Sequence, residues 1–293
     1  MNIGIDNYSY HRYFGEVYPG QPPPPQFWQL SDFVDHILNL PELPLVEGLS
    51  IETCFLPNDV DKTISELSRI NIPFLFQWGH PDGFMNVPLR QVFSEIKKYF
   101  ELSQWFHSNV LRIVASSIHY FSQPHQPQIE KAYKYLEKIL PLAEEFNIKL
   151  ALENHGDFYL HEIQRIIERF DTPYLGVVLD TGNFLRLNEQ PLDVISIFGE
   201  KIYLVHIKDV SIMPGYAPDD PRRFGCVPAG EGITDFSAIF ANLYMRSYQK
   251  MLLIEISRMH PQYEQAGEIA MIRTGLEYLH KMRAQVGYSH AAN

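Results

Sequence analysis

Eight short apolar runs punctuate the chain, near residues 2–6, 47–52, 72–77, 110–115, 148–153, 174–180, 201–207 and 251–256, each rich in Val, Ile, Leu or Phe. Strands buried on both faces require such continuous runs. Between them lie segments with apolar residues at three- and four-residue intervals, among them 59–70, 89–107, 128–146, 159–170 and 264–283, which read as amphipathic helices. Eight such units predict an α/β fold, a (β/α)8 TIM barrel, in a single domain over residues 1–287 with a disordered tail over 288–293. A doubly wound sheet uses the same repeat but places a Gly-rich phosphate turn after its first strand, and Ile5-Asp6-Asn7-Tyr8 offers none.

Two connections are long. Tyr13 to Gln26, with Pro22 to Pro25 consecutive, is expected to form a polyproline-like cover over the first βα loop. Lys208 to Gly232, with four prolines and four glycines, is expected to be a loop of about 25 residues that acts as a lid or substrate wall.

The chemistry sits at the ends of four runs. Leu150-Ala151-Leu152-Glu153, Val177-Val178-Leu179-Asp180, Tyr203-Leu204-Val205-His206 and Leu252-Leu253-Ile254-Glu255 each finish on a metal-ligating side chain. Carboxyl ends of barrel strands converge on one rim, so residues far apart in sequence can meet at one ion. Two Glu, one Asp and one His form a hard, mostly oxygen donor set suited to Mn²⁺, Mg²⁺ or Co²⁺, and also to Zn²⁺. One acid at a strand end is ordinarily a helix cap; four in register predict a metal centre.

Composition narrows the partners. With 24 basic against 35 acidic residues, a net charge of −11, the chain lacks the cationic surface that binds phosphates, so nucleic acid is not an expected partner. No 18-residue apolar run and no basic, then apolar, N-terminal leader appear, which predicts a cytoplasmic protein without a membrane span. Cys54 and Cys226 are too few for a disulfide framework.

The motifs Leu152-Glu153-Asn154-His155, Leu179-Asp180-Thr181-Gly182-Asn183, Val205-His206-Ile207-Lys208-Asp209, Pro228-Ala229-Gly230-Glu231-Gly232 and Ile254-Glu255 resemble those of the xylose isomerase-like TIM barrels, a group of ketose 3-epimerases, inosose isomerases and dehydratases, 3-dehydroshikimate dehydratases and endonuclease IV. The resemblance implies one divalent ion, Mn²⁺ first among the candidates, held by Glu153, Asp180, His206 and Glu255. It further implies Glu153 and Glu255 as acid and base in sugar or polyol isomerisation or epimerisation, by proton abstraction beside a carbonyl through a metal-stabilised enediolate. If a leaving group stands on the adjacent carbon, the same enediolate collapses by elimination, so a lyase or dehydratase acting on a keto-sugar, keto-glycoside or keto-cyclitol is the alternative. A non-catalytic carbohydrate-binding barrel is a third reading, which the retained donor set disfavours. Such barrels often assemble as homo-oligomers. Where many ketose epimerases and endonuclease IV carry Asp-Thr-x-His, this chain has Asn183 in place of the histidine, and 208–232 holds no histidine, which argues against DNA repair.

Around that site the expected substrate-binding residues are His155 after Glu153, His80 and His119 past the third and fourth strands, Lys208 two residues after His206, Arg222 and Arg223 in the long loop, and Trp78, with Tyr10 and Phe14, as a stacking face for a sugar.

Overall fold

A computed structural model describes residues 1–291. Eight parallel strands close a barrel: β1 (Asn2–Asp6), β2 (Leu49–Glu52), β3 (Phe74–Trp78), β4 (Val110–Val114), β5 (Lys149–Glu153), β6 (Leu175–Asp180), β7 (Ile202–Ile207) and β10 (Met251–Ile254). Their order around it is β1-β10-β7-β6-β5-β4-β3-β2. All eight apolar runs thus became barrel strands, with boundaries moved by at most two residues. Their residues are almost uniformly buried because side chains on one face fill the barrel and those on the other meet the helices.

Two compact units divide the chain, one from Phe74 to Val205 and the other of Met1–Pro73 together with the chain from His206 onward. In the first, β4, β5 and β6 pair in parallel with Leu111 opposite Leu150 and Leu152 opposite Val177, under helices α3 (Leu89–Trp105), α4 (His125–Phe146) and α5 (Leu160–Phe170). Helix α5 buries Ile163, Ile166 and Ile167, the stripe that its three- and four-residue spacing dictates. The short helices α6 (Thr181–Arg186) and α7 (Pro191–Phe198) follow β6. In the second unit β1 pairs with both β10 and β2, and α1 (Leu30–Leu38), α2 (Val60–Leu67), α8 (Phe236–Met245) and α9 (Gly267–Ala291) complete it. Helix α9 carries the backbone through Ala291, where a disordered tail was expected from 288. Gly287 costs a helix only about 1 kcal/mol relative to Ala and does not end it. Residues 292 and 293 of that expected tail lie outside the described residues.

The stretch 208–232 is not an irregular loop. Residues Asp209–Ile212 (β8) and Phe224–Val227 (β9) pair antiparallel, with Val210 opposite Cys226, and the tip between them carries a short helical turn at Pro221–Arg223. Apart from Gly225 within β9, its prolines and glycines lie outside the two strands. Asp209 then ties down the return to α8, its carboxylate accepting from the backbone N–H groups of Gly230, Gly232 and Thr234 at 2.9, 2.9 and 3.2 Å. A Cβ on Gly232 would sit 2.1 Å from that carboxylate, so the Gly-x-Gly of this turn serves close approach. The Tyr13–Gln26 stretch contains neither helix nor strand, as expected. Arg12, paired with Glu268 at 2.5 Å, donates to the Pro22 carbonyl at 2.6 Å and pins the start of the proline run.

Candidate functional site

In the Phe74–Val205 unit, Glu153 closes β5 and Asp180 closes β6, both fully buried. The Glu153 carboxylate pairs through Oε2 with Arg112 Nε from β4, and Asn183 Nδ2 donates to Oε1 at 3.3 Å. Asn183 also donates to the Asn154 carbonyl at 2.9 Å. The residue that departs from the family pattern therefore braces a glutamate. Asp180 Oδ1 accepts from the backbone N–H groups of Gly182 and Asn183 at 2.8 and 2.7 Å, capping α6, so strand end and helix start fix one oxygen.

In the other unit, β7 places His206 with Nδ1 2.7 Å from Glu255 Oε2 and Nε2 3.4 Å from Asp6 Oδ2. Lys208 Nζ stands 2.7 Å from Glu255 Oε1. His206 and Lys208 are both fully buried. β7 ends at Ile207, and Lys208 follows at two residues from His206, the spacing that puts side chains of an extended chain on one face.

One ligand atom from each of Glu153, Asp180, His206 and Glu255 lies within 4.8 Å of the others. Four buried donors at that spacing, three of them carboxylates, fit a divalent cation; a group of like charges taken out of water needs positive charge among them.

The other expected residues divide. Lys208 joins the group through Glu255. His155 is half-buried; its backbone N–H, not its ring, is held by Asp157 Oδ1 at 2.9 Å. The same Asp157 accepts from Ser116 and Phe158 N–H at 3.1 and 3.0 Å, and complete burial pushes its carboxyl up to about 6 despite those bonds. His80 is half-buried, its Nδ1 accepting from Asp82 N–H at 3.1 Å, and His119 is exposed. Arg222 is exposed and forks onto Asp220 at 2.9 and 2.7 Å, which pulls that carboxyl down to about 2. Arg223 is buried over the Phe224 ring at 4.3 Å and donates to the Asp220 carbonyl at 3.1 Å.

Trp78 corrects an expectation. It is 1% exposed, packs on Phe84, and donates its indole N–H to Glu95 of α3 at 2.8 Å, so it belongs between strand and helix and offers no stacking face. One residue of alternation decides this, because Gln77 takes the opposite face of β3. Tyr10 is fully buried too, and Phe14 stacks on Phe55 with ring centroids 4.4 Å apart.

Three residues at the site were missed. Asp6 ends β1 after Ile3-Gly4-Ile5, the same signal that marked the four clustered residues. Arg112 interrupts the apolar Val110-Leu111-Arg112-Ile113-Val114, and a cation inside a buried strand demands a carboxylate. Asn183 left no mark beyond standing where a histidine was expected.

A parallel barrel whose strand ends gather buried carboxylates and an imidazole defines the class as a metal-site TIM barrel. Residues 62–282 match the xylose isomerase-like TIM barrel family, and the chain belongs to it. It is 30% identical over 118 residues to a 3-oxo-isoapionate decarboxylase of Pectobacterium atrosepticum, covering 40% of this chain and 42% of that one. It is 26% identical over 201 residues to a putative L-ribulose-5-phosphate 3-epimerase of Haemophilus influenzae, covering 64% and 67%. The matched stretch thus spans less than half of the decarboxylase. Among solved structures, the IolI protein with a bound zinc atom superposes with a TM-score of 0.71 at 16% identity, covering 98% of this chain and 99% of that one. Among the described residues no helix is long and apolar enough to cross a membrane.

Proposed function

We propose that this protein is a divalent-metal-dependent isomerase or epimerase of a small sugar or polyol, acting in cytoplasmic carbohydrate metabolism. The observation that carries the reading is the buried cluster of Glu153, Asp180, His206 and Glu255, two of whose members are glutamates each paired with a buried cation. These four would hold the ion; the oxygen-rich donor set favours Mn²⁺, with Mg²⁺, Co²⁺ and Zn²⁺ as alternatives. The ion, when bound, supplies positive charge beside substrate oxygens that become anionic in the reaction.

The chain's own side chains do the rest. Glu153 and Glu255 serve as the proton-removing and proton-returning pair at the carbon beside a carbonyl. Arg112 and Lys208 pair with these carboxylates and aim them. Asp6, on the Nε2 side of His206, orients the imidazole so that Nδ1 faces the ligand side, the arrangement in which a carboxylate fixes the tautomer of a liganding histidine. His80, His119, His155, Arg222 and Arg223 are proposed as substrate contacts. The proposal includes assembly as a homo-oligomer, as similar barrels often form.

A lyase outcome is the second reading, favoured by relatives that include a decarboxylase and an inosose dehydratase of Clostridium beijerinckii. Proton NMR of the Mg²⁺-loaded protein in D₂O with ketoses, inososes and 3-keto-glycosides separates the two. Deuterium beside the carbonyl together with a new epimer or isomer supports the isomerase. An unsaturated or deglycosylated product moves the assignment to lyase, and no exchange with any member despite bound metal defeats the isomerase reading for these substrate classes.

A further inference from the structure

Strand β10 stops at Ile254, one residue before Glu255, and its ladder with β1 ends at Ile5 opposite Ile254. The backbone on either side of Glu255 therefore needs other partners. Ser9 supplies both: its Oγ donates to the Ile254 carbonyl at 3.0 Å and accepts from the Ile256 N–H at 3.0 Å. Between those bonds the Glu255 N–H donates to the Ile207 carbonyl of β7 at 3.1 Å. Ser9 is 1% exposed and lies 245 and 247 residues away from these partners. It is not capping its own turn, because Asp6 Oδ1 already does so by accepting from Tyr8 N–H at 2.8 Å.

Resting on the metal-site reading above, we propose that Ser9 is a positioning residue for Glu255: one hydroxyl brackets the glutamate's backbone and thereby sets where its carboxylate points. Only a side chain that donates and accepts at one atom can hold a carbonyl and an N–H two residues apart in this way. The bracket substitutes for a strand ladder at the point where a register error would turn Glu255 away from His206 and Lys208. The turn Asn7–Tyr10 is what folds Ser9 back onto β10, and its cap, Asp6, is the same carboxylate that faces His206. One short turn thus serves two members of the cluster.

The test compares the full chain with Ser9→Ala, Ser9→Cys and Ser9→Thr by amide hydrogen exchange over residues 254–257 and by Mn²⁺ titration. Ser9→Ala is expected to speed exchange at Ile256 and to weaken Mn²⁺ binding by about tenfold, as loss of a residue behind a metal ligand does, while exchange in β5 stays unchanged. Thr, which keeps the hydroxyl, is expected to restore both. Cys, with a weak hydrogen bond, should fall between, and it replaces Ala if the alanine variant does not fold. Wild-type exchange and Mn²⁺ affinity in Ser9→Ala overturn the proposal, as does faster exchange with unchanged affinity. A wild-type protein that takes up no divalent ion defeats the metal reading instead, and the bracket is then judged on exchange at Ile256 alone.

Discussion

Glu153 and Glu255 have the same side chain and the same proposed duty, yet the chain builds them differently. Glu153 lies inside a ladder, opposite Val114 of β4 and Val178 of β6, and its carboxylate meets Arg112 from the neighbouring strand. Glu255 lies past the end of its strand, held by Ser9 on the backbone and by Lys208 on the side chain. Arg112 is a permanent cation with a planar, preset geometry, whereas Lys208 is a point charge on a flexible stem. The first glutamate is fixed by sheet register and the second by contacts converging from distant segments. Glu255 is accordingly the more easily displaced by single substitutions around it.

The strongest way to break the comparison is to remove each carboxylate in turn. Glu153→Gln and Glu255→Gln are each expected to lower kcat by about 10²–10⁴-fold, the range for loss of an acid or base. Steady-state kinetics with far-UV circular dichroism checks both. Loss in only one of the two, with native fold in both, would reduce the other glutamate to a metal ligand and end the two-carboxylate mechanism.

Removing the cations tests the structural half of the contrast. Arg112→Ala leaves Glu153, with no exposed surface, without its guanidinium, and breaking such a buried pair costs about 3–5 kcal/mol, to be read from urea unfolding. Lys208→Ala exposes Glu255 to the same class of penalty. The conservative exchanges sharpen the difference. Arg112→Lys should lose much of the stability because the donor geometry changes, while Lys208→Arg, on the side assembled from converging contacts, should lose less stability and more activity. Equal responses of the two exchanges would remove the distinction drawn between the glutamates.

What the sequence made legible follows the same line. The eight strands and the four clustered side chains came from local patterns, an apolar run and the residue that ends it, and those patterns survive folding because burial enforces them. Ser9 and Asn183 act through partners that no spacing announces, since their bonds join segments set beside each other by the barrel itself. Arg112 and Asp6 were readable and were passed over, the one as a lone charge in an apolar run and the other as a fifth acid ending a strand. Trp78 misled because an aromatic at a strand's end faces either the barrel or the helix layer, and one residue of register decides which. The β8–β9 hairpin hid behind prolines and glycines that mark its ends.

Asp157 offers a test of the loop that follows Glu153. Its carboxyl is raised from 3.8 to about 6 by burial, so the folded protein holds its proton more tightly than the unfolded chain does. Between about pH 4 and 6 this one group makes stability fall as pH rises, and above 6 its contribution is constant; the shift amounts to about 3 kcal/mol. Asp157→Asn is expected to flatten that part of the pH–stability curve, measured by urea unfolding at half-unit steps. A curve in the variant with the wild-type slope would mean that Asp157 is not the group titrating there.

The smallest effect is expected at the hairpin tip, where Arg222 and Arg223 stand next to each other in opposite circumstances. Arg222 is exposed and engaged by Asp220, whereas Arg223 is buried against Phe224. Surface ion pairs contribute little to stability, so Arg222→Ala should leave the thermal midpoint within replicate scatter, while Arg223→Ala should lower it through lost packing. Activity then decides what stability cannot. A raised KM with unchanged kcat in Arg222→Ala would show that the guanidinium leaves Asp220 to bind substrate, and unchanged kinetics would confine both arginines to holding the tip in shape.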